Sequence, residues 1–271
     1  MKAVDPARIA QRMSLRTPLA ESLALLAKVA TTINLRAGVD LAHAQALIAE
    51  DYPKFSDFER AFPSLTFDIA TGVGKTRLMG AFIAWLYLSG RSSNFFVLAP
   101  NGTIYRKLIE DFTPGTRKYV FTGISEFATC LPVIVTGEDY QSGHGARRGQ
   151  LKLTAGVYDD AATINIFNIQ KINQTAEKSK ELRIRKLSEY IGQSYFEYLQ
   201  GLPDLVLVMD ESHRYRAKAG FATLNELKPI LGLELTATPF VQNGTNKVPF
   251  KNVVYSFPLR QAMEAGYVKE P

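Results

Sequence analysis

Three segments of the 271-residue sequence hold side chains whose types and spacing suit the handling of phosphate. In ATGVGKT, residues 70–76, Gly72 and Gly74 let backbone N–H groups converge on phosphate oxygens, and a helix starting there adds partial positive charge. Thr71, Gly72, Val73, Gly74, Lys75 and Thr76 are the candidate cradle, with Lys75 neutralising phosphate charge and Thr76 placing its hydroxyl on magnesium. Ile69 stands where the strict G-x-x-x-x-G-K-[ST] spacing has its first glycine. The plainer alternative is a glycine turn with a capping threonine. It leaves Lys75 at a helix N-terminus, where a cation is unfavourable unless an anion sits beside it.

The second segment, DLVLVMDESHRY, places Asp210 and Glu211 directly after an apolar run. Two carboxylates at the end of a buried strand must be exposed, neutralised or bound to a cation. Beside a phosphate loop, Asp210 would hold magnesium and Glu211 would orient and deprotonate an attacking water. A helix N-cap at Asp210 and an ordinary surface histidine at His213 are the alternatives. The third segment, LELTATPF, is again an apolar strand, ending in the hydroxyls of Thr236 and Thr238 before Pro239.

These segments need a scaffold that brings strand ends together. From residue 64 onward short apolar runs alternate with helical stretches, and residues 65–70, 94–100, 131–137, 163–169, 204–210, 230–236 and 252–257 read as strands. Several are apolar on both faces, which predicts a mostly parallel sheet flanked by helices, an α/β fold. Helices are expected over 75–88, 102–112, 177–199 and 220–228. Residues 1–62 read as an N-terminal helical accessory segment, with leucines 19, 23 and 26 at helical spacing. A glycine-rich, basic insertion near 138–160 interrupts the alternation.

Composition sets wider bounds. A single cysteine, Cys130, excludes an internal disulfide and a cysteine-based zinc cage, and suits a reducing, cytoplasmic setting. No apolar run approaches the roughly 18 residues that span a bilayer, and the N-terminus lacks an export signal. With 32 Lys and Arg against 26 Asp and Glu, the net charge of +6 favours a polyanionic partner if the excess is clustered.

Taken in order, ATGVGKT, VLAPNGTIYRKLIEDF, NIFNIQKIN, VMDESHRY and LTATP resemble motifs I, Ia, Ib, II and III of superfamily 2 helicases and translocases. TFDIATGVGKTRLMGAFI, NIQKIN and the closing YSFPLRQAMEAGYVKEP are most similar to the helicase/translocase (Res) subunit of type III restriction enzymes. The resemblance runs from about residue 65 to 271 and implies a RecA-like first motor domain, residues 63–271, that binds ATP with magnesium and hydrolyses it while moving on nucleic acid, DNA ahead of RNA. Position by position, it gives Lys75, Asp210 and Glu211 the catalytic roles, and His213, Thr236 and Thr238 the coupling of nucleotide state to movement. Pro100, Asn101, Thr103, Asn168, Gln170 and Lys171 would touch a nucleic-acid strand, a contact made without regard to sequence. Ser212 stands where alanine is commonest in the D-E-x-H box. No glutamine motif for adenine is visible upstream, and Tyr52, Phe55 and Phe62 are aromatic candidates for stacking on the base or for the core.

Superfamily 2 motors use a second RecA-like domain that supplies an arginine finger, and the sequence ends where a linker to it would begin. The expectation is therefore an N-terminal portion that binds ATP and hydrolyses it weakly by itself, with that second domain and modification, specificity or nuclease subunits as partners and no membrane. Arg147 and Arg148 in the insertion are candidate contacts to the DNA backbone. Two competing readings are a nucleotide-gated interaction module without turnover and a phosphate-loop phosphotransferase, which would leave DESH and TATP without a use.

Overall fold

The computed structural model describes residues 3–140, 161–169, 175–176, 179–182, 194–216, 218–243 and 246–268. The chain opens with helices α1 (Pro6–Arg12), α2 (Thr17–Thr32) and α3 (Leu41–Asp51). Two of these starts are written locally. Asp5 accepts from Ala7 N at 2.9 Å ahead of Pro6, and Asp40 accepts from Ala42 N and His43 N at 3.0 and 3.1 Å. Next come β1 (Ser64–Ile69), α4 (Lys75–Leu88), β2 (Asn94–Ala99), α5 (Gly102–Phe112), α6 (Ser125–Thr129), β3 (Val133–Thr136) and β4 (Thr163–Asn168). The remainder is β5 (Thr175–Ala176), β6 (Ser179–Leu182), α7 (Tyr195–Gln200), β7 (Leu205–Asp210), α8 (Lys218–Glu226), β8 (Leu231–Thr236), β9 (Phe240–Asn243), β10 (Asn246–Pro249), β11 (Val253–Phe257) and α9 (Leu259–Glu264).

Seven strands form one sheet in the order β11-β1-β8-β7-β2-β4-β3, and every pairing in it is parallel. These are the seven runs that the sequence marks as strands, and their carboxyl ends lie along one edge. The strands β1, β4, β7 and β8 are buried along their whole length, as a sheet covered on both faces requires. Alternation sends Leu65, Phe67, Val97, Val206 and Leu233 into one core with α2, α4 and α5. Phe96, Leu98, Leu207 and Met209 enter a second core with α7 and α8.

On β1 and β8 that second face is polar. Glu234, in the middle of an apolar strand, accepts from Arg60 Nε at 2.7 Å, Ser64 Oγ at 2.8 Å and Arg216 Nη2 at 2.9 Å. Arg216 also donates to Glu59 Oε2 at 2.6 Å and lies 3.7 Å above the Phe250 ring. Burial alone would push the Glu234 carboxyl up; the Arg60 and Arg216 guanidiniums, with the hydrogen bonds, reverse this and hold it at about 2. A buried carboxylate thus fastens the loop before β1 and the turn after β7 to the same strand.

The N-terminal helices pack on the first core. Trp85 Nε1 donates to Val4 O at 3.0 Å and Arg77 Nε to Met13 O at 2.7 Å, tying α4 to both ends of α1. On α4, Gly80 permits the close approach of the segment around Val120, since a Cβ there would lie 3.0 Å from Val120 Cβ.

One expected helix is not formed as read. Of residues 177–199, Ser179–Leu182 is a strand paired antiparallel with Thr175–Ala176, and among the described residues of this stretch the helix is Tyr195–Gln200. EKSKE offers no apolar stripe to bury, and helices in proteins draw most of their stability from such a stripe. Ser194 and Glu197, in contrast, form a capping box that fixes the start of α7.

Candidate functional site

The loop from Ala70 to Gly74 joins the carboxyl end of β1 to α4. Gly72 and Gly74 adopt φ of 87° and 123°, left-handed values that glycine takes without steric cost. Gly74 is the N-cap of α4 and brings no side-chain cap, so the first turn presents backbone N–H groups at the positive end of a 14-residue helix. The first turn also carries Lys75, Thr76 and Arg77 and no acidic residue. Thr71 and Gly72 are exposed, Val73 is buried, and Lys75 and Thr76 are half-buried.

β7 and β8 lie side by side, with Asp210 paired to Leu235, so the acidic pair and the threonine turn meet at one sheet edge. Lys75 Nζ sits 2.5 Å from Glu211 Oε1. His213 Nδ1 lies 3.6 Å from Glu211 Oε2, 3.0 Å from Thr236 Oγ1 and 2.9 Å from Thr238 Oγ1. Thr238 N donates to Thr236 Oγ1 at 3.0 Å and closes the turn. Lys75, Glu211, His213, Thr236 and Thr238, read from three distant segments, thus form one continuous polar chain.

The electrostatics follow from burial. Asp210 is 7% exposed, and burial pushes its carboxyl up to about 6 against the opposing pull of Lys75. Burial also lowers His213, with Glu211 opposing the shift, so its imidazole is neutral over a wider pH range. Glu211 adopts a left-handed φ of 50°, uncommon for a non-glycine residue and of the kind that clusters at functional sites. Among the described residues no group of three or more His, Cys, Asp and Glu is gathered for a metal. A single desolvated carboxylate still fits magnesium, which takes one or two protein ligands and fills its shell with water and phosphate.

Pro100, Asn101 and Thr103 follow β2, and Asn168 ends β4 in register with Ala99, so both segments reach the same carboxyl edge. Thr103 is exposed, while Pro100 is buried and the Asn101 side chain caps α5 by accepting from Ile104 N at 2.9 Å. Gln170, Lys171, Arg147 and Arg148 lie outside the described residues. Phe55 and Phe62 are residues of the first and second core, each 2% exposed, and half-buried Tyr52 packs against the first core with Lys28 5.9 Å above its ring.

Two features escaped the sequence reading. Glu234 could have been noticed, since a charge inside a buried strand demands a partner. Arg16 left no such mark: its Nη1 donates to the carbonyls of Gly72 and Val73 at 3.1 and 3.2 Å. Leu19 of α2 and Val268 pack behind the same loop, 3.1 and 3.4 Å from where Cβ atoms on Gly74 and Gly72 would lie.

A seven-stranded parallel sheet carrying a glycine loop, an acidic pair and a hydroxyl turn on one carboxyl edge defines an α/β domain of the RecA-like class. The fold is similar to that of a nuclease-deletion mutant of the Type ISP restriction-modification enzyme LlaGI, solved in complex with a DNA substrate mimic, at a TM-score of 0.51 and 13% identity. That similarity covers 76% of this chain and 16% of the other, so the chain spans about a sixth of the larger enzyme. The chain belongs to the family of the type III restriction enzyme res subunit, whose model matches residues 38–241. No curated protein matches the sequence. Among the described residues no helix is long and apolar enough to cross a membrane.

Proposed function

We propose that the chain is the ATP-binding motor domain of a DNA helicase or translocase, acting in a restriction enzyme of the Res type or a related defence protein. The observation that carries this reading is the convergence of Lys75, Glu211, His213, Thr236 and Thr238 at one sheet edge, beside a helix N-terminus that offers its N–H groups. Lys75 and the amides of Thr71–Thr76 would hold the phosphates. Glu211 would orient and deprotonate the attacking water, a role worth about 10²–10⁴ in rate for a general base. Thr76 and Asp210 would hold magnesium, which when bound supplies charge neutralisation at the phosphates. His213 lies between Glu211 and the Thr236–Thr238 turn, so a shift of Glu211 would be felt in the turn.

In the same reading Pro100, Asn101, Thr103 and Asn168, with Gln170 and Lys171, face one strand of DNA. Arg147 and Arg148 add backbone contacts. Residues 63–271 form the first RecA-like domain and 1–62 the helical segment before it. A second RecA-like domain would complete the site with an arginine, a contribution of about 10³–10⁵ in related NTPases. Modification, specificity or nuclease components would be further partners, in the cytoplasm.

The test measures ADP and ATP binding and hydrolysis, with and without duplex DNA, for the parent, Lys75→Ala and Glu211→Gln. Lys75→Ala should bind nucleotide at least tenfold more weakly, since it loses a charge-assisted contact of about 1.5–3 kcal/mol. Glu211→Gln should bind ATP and lose turnover. Unchanged affinity in Lys75→Ala removes the site assignment. A second reading, a nucleotide-gated module without turnover, is favoured by the Lys75–Glu211 ion pair, which ties two would-be catalytic groups to each other. Equal hydrolysis by the parent and Glu211→Gln would favour it.

A further inference from the structure

Arg16 is the N-cap of α2, a position where Ser, Thr, Asp or Asn would satisfy the helix. It makes no side-chain cap, and it places a cation at the positive end of a 16-residue helix. The helix therefore gains nothing from this side chain. Its Nη1 instead donates to three carbonyls, those of Gly72 at 3.1 Å, Val73 at 3.2 Å and Tyr267 at 3.5 Å, and the guanidinium lies 5.0 Å from the Tyr267 ring centroid.

The consequence follows from the peptide bond. In a planar trans unit the carbonyl and the N–H point in opposite directions. Drawing the Gly72 and Val73 carbonyls toward Arg16 turns the N–H groups of Val73 and Gly74 away from it. The Val73 N–H is taken up by Ala70 O at 3.4 Å, a long bond that leaves the loop in a tight turn. The Gly74 N–H stands at the mouth of α4, beside Lys75. The left-handed φ values of Gly72 and Gly74 show the backbone flipping on either side of the gripped carbonyls.

We propose that Arg16 is a positioning residue for the phosphate loop: it holds two loop carbonyls from behind, fixing the tight turn at Val73 and leaving the Gly74 amide to face the phosphates. The proposal rests on the nucleotide reading above and gives the N-terminal segment a share in the site. Arg16 itself does not contact the nucleotide. Its effect must therefore be felt by any ligand that carries the phosphate chain, with or without a base.

The experiment titrates ADP and inorganic tripolyphosphate, each with magnesium, into the parent chain, Arg16→Met, Arg16→Lys and Lys75→Ala, with thermal melts to confirm folding. Methionine keeps the apolar stem of Arg16 and removes its donors. The charge-assisted hydrogen bonds to the two loop carbonyls are lost, so the affinity of Arg16→Met should fall about tenfold to a hundredfold, and equally for ADP and tripolyphosphate. Arg16→Lys, whose ammonium can donate to the same carbonyls, should recover at least half of the loss on a logarithmic scale. Loss confined to ADP, with tripolyphosphate unchanged, would overturn the proposal in favour of a contact to the base or ribose. Parent affinity in Arg16→Met, or a lysine variant as weak as the methionine one, overturns it as well. Parent-like binding of both ligands by Lys75→Ala would instead sink the nucleotide reading itself, a result that the Arg16 variants cannot mimic.

Discussion

Glu234 sets the strongest expectation at the level of single residues. Its carboxylate is buried between two guanidiniums, and removing one member of such a group leaves charge uncompensated in the interior. Glu234→Gln should cost about 3–5 kcal/mol, read from urea unfolding. The pH dependence has a definite sign. The folded-state carboxyl is held at about 2, below its unfolded value, so its stabilisation is complete above the ordinary range near 4.3 and fades as pH falls through that window. Melts between pH 5 and 2.5 should therefore decline less steeply in Glu234→Gln than in the parent; parallel declines would remove Glu234 from the acid response. How far such residues were legible differs by case. Lys75 stood out because a glycine loop follows its strand, and Asp210, Glu211, His213, Thr236 and Thr238 because two apolar strands ended in polar residues. Arg16 and Arg216 did not, since an arginine in a polar stretch carries no sign of which carbonyl or carboxylate it will meet.

Elements were legible where burial dictates composition. A strand enclosed in a covered sheet is largely apolar, and such short apolar runs are why the seven sheet strands could be read. The β5–β6 hairpin could not, because short polar strands lack that signature. Nor did any local feature announce that β1 would lie between β8 and β11, since pairing across such separations is decided by the whole fold. Helix α4 offers a test of packing at this scale. Gly80→Leu pushes a side chain into Val120 and Met13, where even a Cβ would approach to 3.0 and 3.5 Å, and should destabilise by about 1–3 kcal/mol. Gly102→Ala in α5 meets nothing within 4 Å and should be neutral or slightly stabilising, by up to about 1 kcal/mol. Thermal melts of the two side by side check the contrast; equal effects would mean that α4 has slack against the segment around Val120.

For the molecule as a whole, the first helices are bound into the core. Met13, Leu19, Leu23, Leu26 and Val29 are each 2% exposed or less, and burying such a side chain contributes about 1.5–3 kcal/mol. Deleting residues 1–32 would forfeit a sum comparable to the entire stability of a typical domain, about 5–15 kcal/mol. The shortened chain should be aggregated or molten by near-ultraviolet circular dichroism; a cooperative melt at the parent temperature would show that these helices are dispensable. The sheet order also constrains how the chain is made. Strand β1, which leads into the glycine loop, has both of its neighbours in residues 231–236 and 253–257. At a synthesis rate of about 5–20 residues per second, β1 leaves the ribosome roughly 10–30 s before either partner exists. For that interval an apolar strand has two unsatisfied edges. Nascent chains arrested before residue 231 should accordingly need a chaperone, and those released after residue 257 should not.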